Sequence, residues 1–152
     1  ILGILSGVLA IVFMRSIGIA NRVARAVPIP RWSRPALGGL LLGGIALQVP
    51  EVLGVGYVAM ESALLMEFTL WVLIGICAAK VAATAICVGF GFGGGVFSPA
   101  LVIGAMLGAS YGIIATGAFP GYASNISVYT IVGMGAVSGA VLGAPMSTTL
   151  FE

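Results

Sequence analysis

Eleven residues, Gly89–Pro99, read GFGFGGGVFSP and set out a binding chemistry that needs no side-chain charge. Ser98 is a favourable N-cap and Pro99 suits the first helical position, so the spacing predicts a helix that starts there. Its unpaired amides and positive dipole end would point into the Gly93–Phe97 loop, and a helix N-terminus of that kind is an anion site. Partial charges let a small anion both enter and leave, whereas a full positive charge would hold it too tightly. The competing reading is a tight turn whose glycines permit helices to cross.

Other chemistry is scarce. Histidine and aspartate are absent, which removes the residue pairs of intramembrane serine and aspartyl proteases and the usual metal clusters, so no catalytic, metal or cofactor site is expected. Cys77 and Cys87 sit ten residues apart on different faces of one apolar helix and read as buried small residues. Lys80 is a lone charge in an apolar helix and must pair or face water; it could raise the local positive potential or brace the loop, and bracing is favoured. Glu152 invites a proton-relay role, but a structural one is favoured because no partner is visible in the sequence. Glu51, Glu61 and Glu67 suit a solvated outer face, Ser147, Thr148 and Thr149 suit backbone carbonyls, and Trp32, Tyr57 and Trp71 suit interfacial anchoring.

The elements that must carry this loop lie in a membrane. The chain is 61% hydrophobic and 7% charged with a mean hydropathy of +1.24, and Val81–Phe151 runs 71 residues without a charge. About 20 apolar residues span a bilayer, so the run holds several passes. Irregular backbone at that depth survives only where it is buried in protein or lines a cavity, which is why the glycine-rich break is a candidate site. The expected class is an all-α, polytopic, integral membrane protein.

Along the chain, Ile1–Ala20 reads as a helix leaving the membrane through NRVARAVPIPRWSRP. Five of the six basic residues, Arg15, Arg22, Arg25, Arg31 and Arg34, fall in or beside this connection, and Pro28, Pro30 and Pro35 make it a loop. The positive-inside rule puts it in the cytoplasm, a better account than a nucleic-acid patch. Ala36–Val49 returns outward, and Pro50–Met66, with a turn at Gly54–Gly56, reads as an outer loop with a short partial helix. Glu67–Val88 runs inward to the break. Ser98–Gly117 and Val128–Gly143 are further helices joined by a loop at Ala118–Ser127. Ala144–Pro145 is expected to break the last helix before a new start at MSTTLFE. The absence of an initial methionine and the helical character of the last residues suggest a piece of a longer chain, cut at both ends.

Small residues recur every four positions at Gly104, Gly108 and Gly112, at Gly135, Gly139 and Gly143, and more briefly at Gly3 and Gly7 and at Gly39 and Gly43. Such stripes let helix backbones touch and report packing, not a specific activity.

GGGVFSPALVIGAMLG resembles the GxFxP anion-binding motif of the ClC chloride channel and transporter family, at Gly95, Val96, Phe97, Ser98 and Pro99. The downstream VGMGAVSGAVLGAPMSTTLFE is similar to that family's GMGA…AP…LE segment, at Gly133, Met134, Gly135, Ala136, Ala144, Pro145, Leu150 and Glu152. The likeness extends more weakly over the whole chain. It implies that residues 1–152 are part of one ClC-type membrane domain, an inverted-repeat helical bundle with broken helices, and belong to its second repeat. It implies chloride transport, with the amides of Val96 and Phe97 contributing to a central chloride site and Gly95 permitting close approach. It implies a homodimer, voltage-gated in some family members, whose pathway also needs the remaining half of the same chain and surrounding lipid. Lys80 stands where the family often has a basic residue. The family's serine loop, gating glutamate, proton-transfer glutamate and late tyrosine have no counterpart in these residues. A passive channel and a proton-coupled antiporter therefore stay open, with a non-transporting scaffold as the alternative from another class.

Overall fold

The computed structural model describes every residue except Ile29, Val55, Met66, Glu67, Phe151 and Glu152, and the side chains of all others except Glu51 and residues 144–150. Among the described residues there are six α-helices and one 3-10 turn, with no strand. Four helices are long and apolar enough to cross a membrane. The expectations placed on Glu67 and Glu152, and on the side chains of Glu51, Ser147, Thr148 and Thr149, fall outside the described residues.

Helix α1, Leu2–Ala26, runs one and a half turns past the expected exit at Ala20. Nothing before Val27 stops it. The Arg25 Nε–H donates to Asn21 Oδ1 at 3.2 Å, a pair four residues apart that suits a helix surface. Val27 is extended (φ −74°, ψ 125°) because Pro28 follows it and disfavours the helical region. Arg22 and Arg25 therefore belong to a helix, not to the loop assigned from sequence. Helix α2, Arg34–Gln48, starts two residues earlier than expected, with Pro35 in its first turn where a missing amide costs nothing. It ends at Val49, again a residue before a proline.

The segment after α2 contains the expected turn and short partial helix, but that helix packs into the core. A 3-10 turn, Pro50–Val52, and a glycine turn with positive φ at Gly54 (70°) and Gly56 (88°) lead into α3, Tyr57–Leu64. Ala59 and Ala63 of α3 are buried in one core with Leu73, Ile76, Val102, Met106 and Ala109. The amphipathic cue was weak because the buried face of α3 is made of alanine. Its outer end is fixed where the Ser127 hydroxyl donates to the Leu64 carbonyl at 3.1 Å.

Helices α4, Leu70–Gly89, and α5, Phe97–Ala118, flank the glycine-rich break, and α6 spans Ile126–Leu150. Helix α6 continues through Ala144 and Pro145, where the sequence predicted a break. A proline removes one helix hydrogen bond, and membrane helices accommodate that loss. A second core joins Ala10 and Phe13 of α1, Ala100 and Ile103 of α5, and Val137 and Val141 of α6.

One glycine stripe does the packing. A Cβ on Gly104 would lie 2.5 Å from the Gly133 carbonyl oxygen and 2.8 Å from Met134 Cα, while one on Gly108 would strike the Tyr129 carbonyl and one on Gly112 would press on Ile126. Helices α5 and α6 therefore meet backbone to backbone. The Tyr111 and Tyr129 rings meet edge to face across the same seam, 5.4 Å apart. Gly135, Gly139 and Gly143 do not share in it, since a Cβ on any of them meets nothing within 4 Å. The residue of α6 that faces the seam is Gly133, two positions from the predicted register.

Candidate functional site

The break between α4 and α5 is built by a glycine-dependent helix end. The Phe92 amide donates to the Cys87 carbonyl (2.9 Å) and the Gly91 amide to the Val88 carbonyl (3.3 Å), the two bonds of a Schellman motif. Gly91 occupies its left-handed position at φ 93°. The chain then passes through the exposed residues Gly93, Gly94 and Gly95 to Val96.

Helix α5 starts earlier than the sequence indicated. Val96, in a helical conformation (φ −85°, ψ −9°), is the N-cap, and its carbonyl accepts from the Ala100 amide at 3.1 Å. Ser98 is therefore the second helical residue, not the N-cap, and it makes no side-chain capping bond; Pro99 is the third helical residue, not the first. The reason is that proline lacks only an amide that any of the first helical positions would leave unpaired, so it does not mark the first one. Among the described residues, the amides of Gly93–Ser98 donate to no other backbone group. The unpaired donors at the helix end are thus those of Val96, Phe97 and Ser98, pointing as the positive end of a 22-residue helix. The helix behind them is immobilised by Ala100, Val102 and Ile103, all completely buried.

Lys80 lies close by but does other work. It is 4% exposed, and its ammonium donates to the Val52 and Gly54 carbonyls, both at 2.8 Å. It is the eleventh residue of α4, about 15 Å from that helix's start, so Val52–Gly54 descends to roughly the middle of a bilayer. The segment Lys80 holds is Val52–Gly54, not the glycine-rich loop to which the sequence reading assigned it. The Thr84 hydroxyl donates to the Lys80 carbonyl at 2.8 Å, within the same stretch of α4.

Both features border one space. A cavity of about 220 Å³ is lined by Gly94, Gly95 and Pro99 from the loop and α5, by Lys80 and Cys87 from α4, and by Val52 and Gly54. Val96 is partly buried and Phe97 is 48% exposed. Gly95, Pro99 and Lys80 are thus brought together, while Glu152 lies outside the described residues. The Val52 and Gly54 carbonyls went unnoticed in the sequence. The available signal was the need of an intramembrane ammonium for acceptors, together with the exposed carbonyls that a glycine turn supplies.

An array of unpaired amides at a helix end, beside a small cavity at membrane depth, can exchange for part of the water shell of a small anion. Among the described residues the fold is thus a helical bundle, with four helices long and apolar enough to cross a membrane, interrupted by a glycine-rich break. Residues 1–151 match the family described as "Voltage gated chloride channel", and the chain belongs to that family. It is 38% identical over 152 residues to a protein of Ralstonia nicotianae named "Putative chloride channel protein ClcB-like", covering 98% of this chain and 35% of the relative. It is 35% identical over 165 residues to the chloride channel protein CLC-f of Arabidopsis thaliana, covering 99% and 21%. It is 31% identical over 151 residues to the H(+)/Cl(-) exchange transporter ClcA of Yersinia pestis, covering 97% and 32%. The chain therefore spans between 21% and 35% of the length of these curated relatives.

Proposed function

We propose that the full-length protein moves chloride across a membrane, and that residues 1–152 supply part of its anion site through the main-chain amides of Val96 and Phe97. The observation that carries this reading is the run of amides from Gly93 to Ser98 without a backbone acceptor, set at the N-terminus of a buried helix. Each charge-assisted bond from such an amide to an anion is worth about 1.5–3 kcal/mol. Gly95, without a side chain, lets the anion approach the main chain, and Ser98 and Pro99 fix the path of the first turn. The Arg15–Arg34 region faces the cytoplasm by the positive-inside rule. In this reading the chloride pathway is completed by the rest of the chain, and the protein works as a homodimer in lipid, each subunit with its own pathway.

The names of the relatives include both channel proteins and an H(+)/Cl(-) exchange transporter. The deciding experiment is chloride efflux from liposomes holding the full-length protein, with external pH recorded in the same run. Chloride movement that drives protons the opposite way identifies an exchanger, and chloride movement without proton flux identifies a channel. No chloride movement refutes the proposal and leaves a scaffold. The site itself is tested by inserting one alanine between Gly95 and Val96, which shifts the amides. That insertion should reduce chloride binding at least tenfold, the loss of one or two such bonds. Val96→Ala, which leaves the amides in position, should change it less.

A further inference from the structure

A cationic feature lies on the other side of the α4 terminus from the Gly93–Gly95 stretch, at the junction of α1, α2 and α4. Arg25, Arg31 and Arg34 line a cavity of about 520 Å³ together with Asn21 and the end of α4 at Gly89–Gly91. Among the described residues no carboxylate lines it. Arg34 Nε is buried and has no hydrogen-bond partner among the described residues. Arg34 is also the first residue of α2, whose first paired amide is that of Leu37, so the positive end of a 15-residue helix opens at the same place. Asn21 holds the Arg25 guanidinium through its Oδ1.

Three arginines lining one cavity are matched by an anion with several acceptor oxygens, and guanidinium and phosphate geometries fit bidentately. The neighbouring surface identifies the source of that phosphate. An apolar cleft of about 410 Å³ continues from the cationic cavity, sharing Phe90 with it, and runs between the same three helices past Ile19, Val23, Leu41, Ala82 and Ile86. Its polar side chain, Ser16, is already satisfied by the Val12 carbonyl at 2.8 Å. Free phosphate would have no use for such a cleft, whereas an acyl chain would fill it.

We propose that the junction of α1, α2 and α4 binds one anionic phospholipid, with its phosphate among Arg25, Arg31 and Arg34 and an acyl chain in the cleft beside Phe90. The depth agrees: the arginines follow the apolar part of α1, where a headgroup layer lies, and the cleft extends from them toward the hydrocarbon.

The test is native mass spectrometry of the full-length protein, with phosphatidylglycerol, phosphatidylcholine and inorganic phosphate as probes. One phosphatidylglycerol per subunit should be retained in preference to phosphatidylcholine. Each neutralised arginine should lower retention about fivefold, so that Arg31→Gln with Arg34→Gln lowers it about 25-fold, while the two lysine replacements retain most of it. Ala82→Trp, which fills the cleft and leaves every charge in place, should lower retention independently. Equal retention of the two lipids, undiminished retention in the Arg→Gln double variant, or unchanged retention in Ala82→Trp would overturn the proposal. Displacement of the lipid by equimolar inorganic phosphate would also overturn it and mark a free-anion site.

Discussion

Replacing Gly104 by alanine tests the link between glycine spacing and the position of the anion loop. The added methyl would sit 2.5 Å from the Gly133 carbonyl oxygen and 2.8 Å from Met134 Cα, where ordinary contact begins near 3.4 Å. Helices α5 and α6 must separate by about 0.6–0.9 Å, and the obstacle is backbone, which has no rotamer to turn aside. Overpacking of this kind costs about 1–3 kcal/mol, and the rigidity of both partners favours the upper half. In a protein nearly three times this chain's length, as the Ralstonia nicotianae relative is, that corresponds to a fall of roughly 1–3 °C in the unfolding midpoint. Gly135→Ala is the contrast. A Cβ there meets nothing within 4 Å, and alanine is the better helix former by about 0.5–1 kcal/mol, so its midpoint should hold or rise. The assay is thermal unfolding of both variants in detergent, followed by chloride efflux, because a displaced α5 carries its N-terminal amides with it. A Gly104→Ala midpoint equal to wild type, or one no lower than that of Gly135→Ala, would refute the reasoning.

Three further outcomes are expected. Lys80→Met strands the Val52 and Gly54 carbonyls and should destabilise the protein by about 1–3 kcal/mol, read as a lower unfolding midpoint; an unchanged midpoint would show that Lys80 braces nothing. Gly91→Ala forces a Cβ into a left-handed position and should cost about 1–2 kcal/mol, with Gly91→Asn costing less; equal losses in thermal unfolding would contradict the Schellman assignment. Shifting the start of α5 by one inserted residue should weaken chloride binding more than Val96→Ala does, measured by isothermal calorimetry.

The existence of the break, the apolar helices around it and the prolines that end α1 and α2 were all legible, because glycine, proline and charge act locally. Positions were less so. Arg22 and Arg25 resembled loop residues by charge alone, although no helix breaker precedes Pro28. Ser98 looked like a cap because capping preference is a property of residue type, whereas the observed cap, Val96, is set by where the main chain leaves the glycines. Spacing identified two glycine stripes on α5 and α6 but not which face each presents, and Gly133 took the role expected of Gly135. The acceptors of Lys80 were invisible for a simpler reason: a carbonyl oxygen is carried by every residue and leaves no trace in sequence.

One further consequence follows from the placement of Lys80. The same helix that grips Val52 and Gly54 at its midpoint ends nine residues later, at Gly89, and the Gly91 turn then launches the glycine-rich loop. From Lys80 to its end at Gly89 that stretch of α4 is a rod of about 14 Å. A push on the Val52–Gly54 segment must either snap two ammonium bonds or shift the rod as a unit, so the fold contains a mechanical linkage between that segment and the glycine-rich loop.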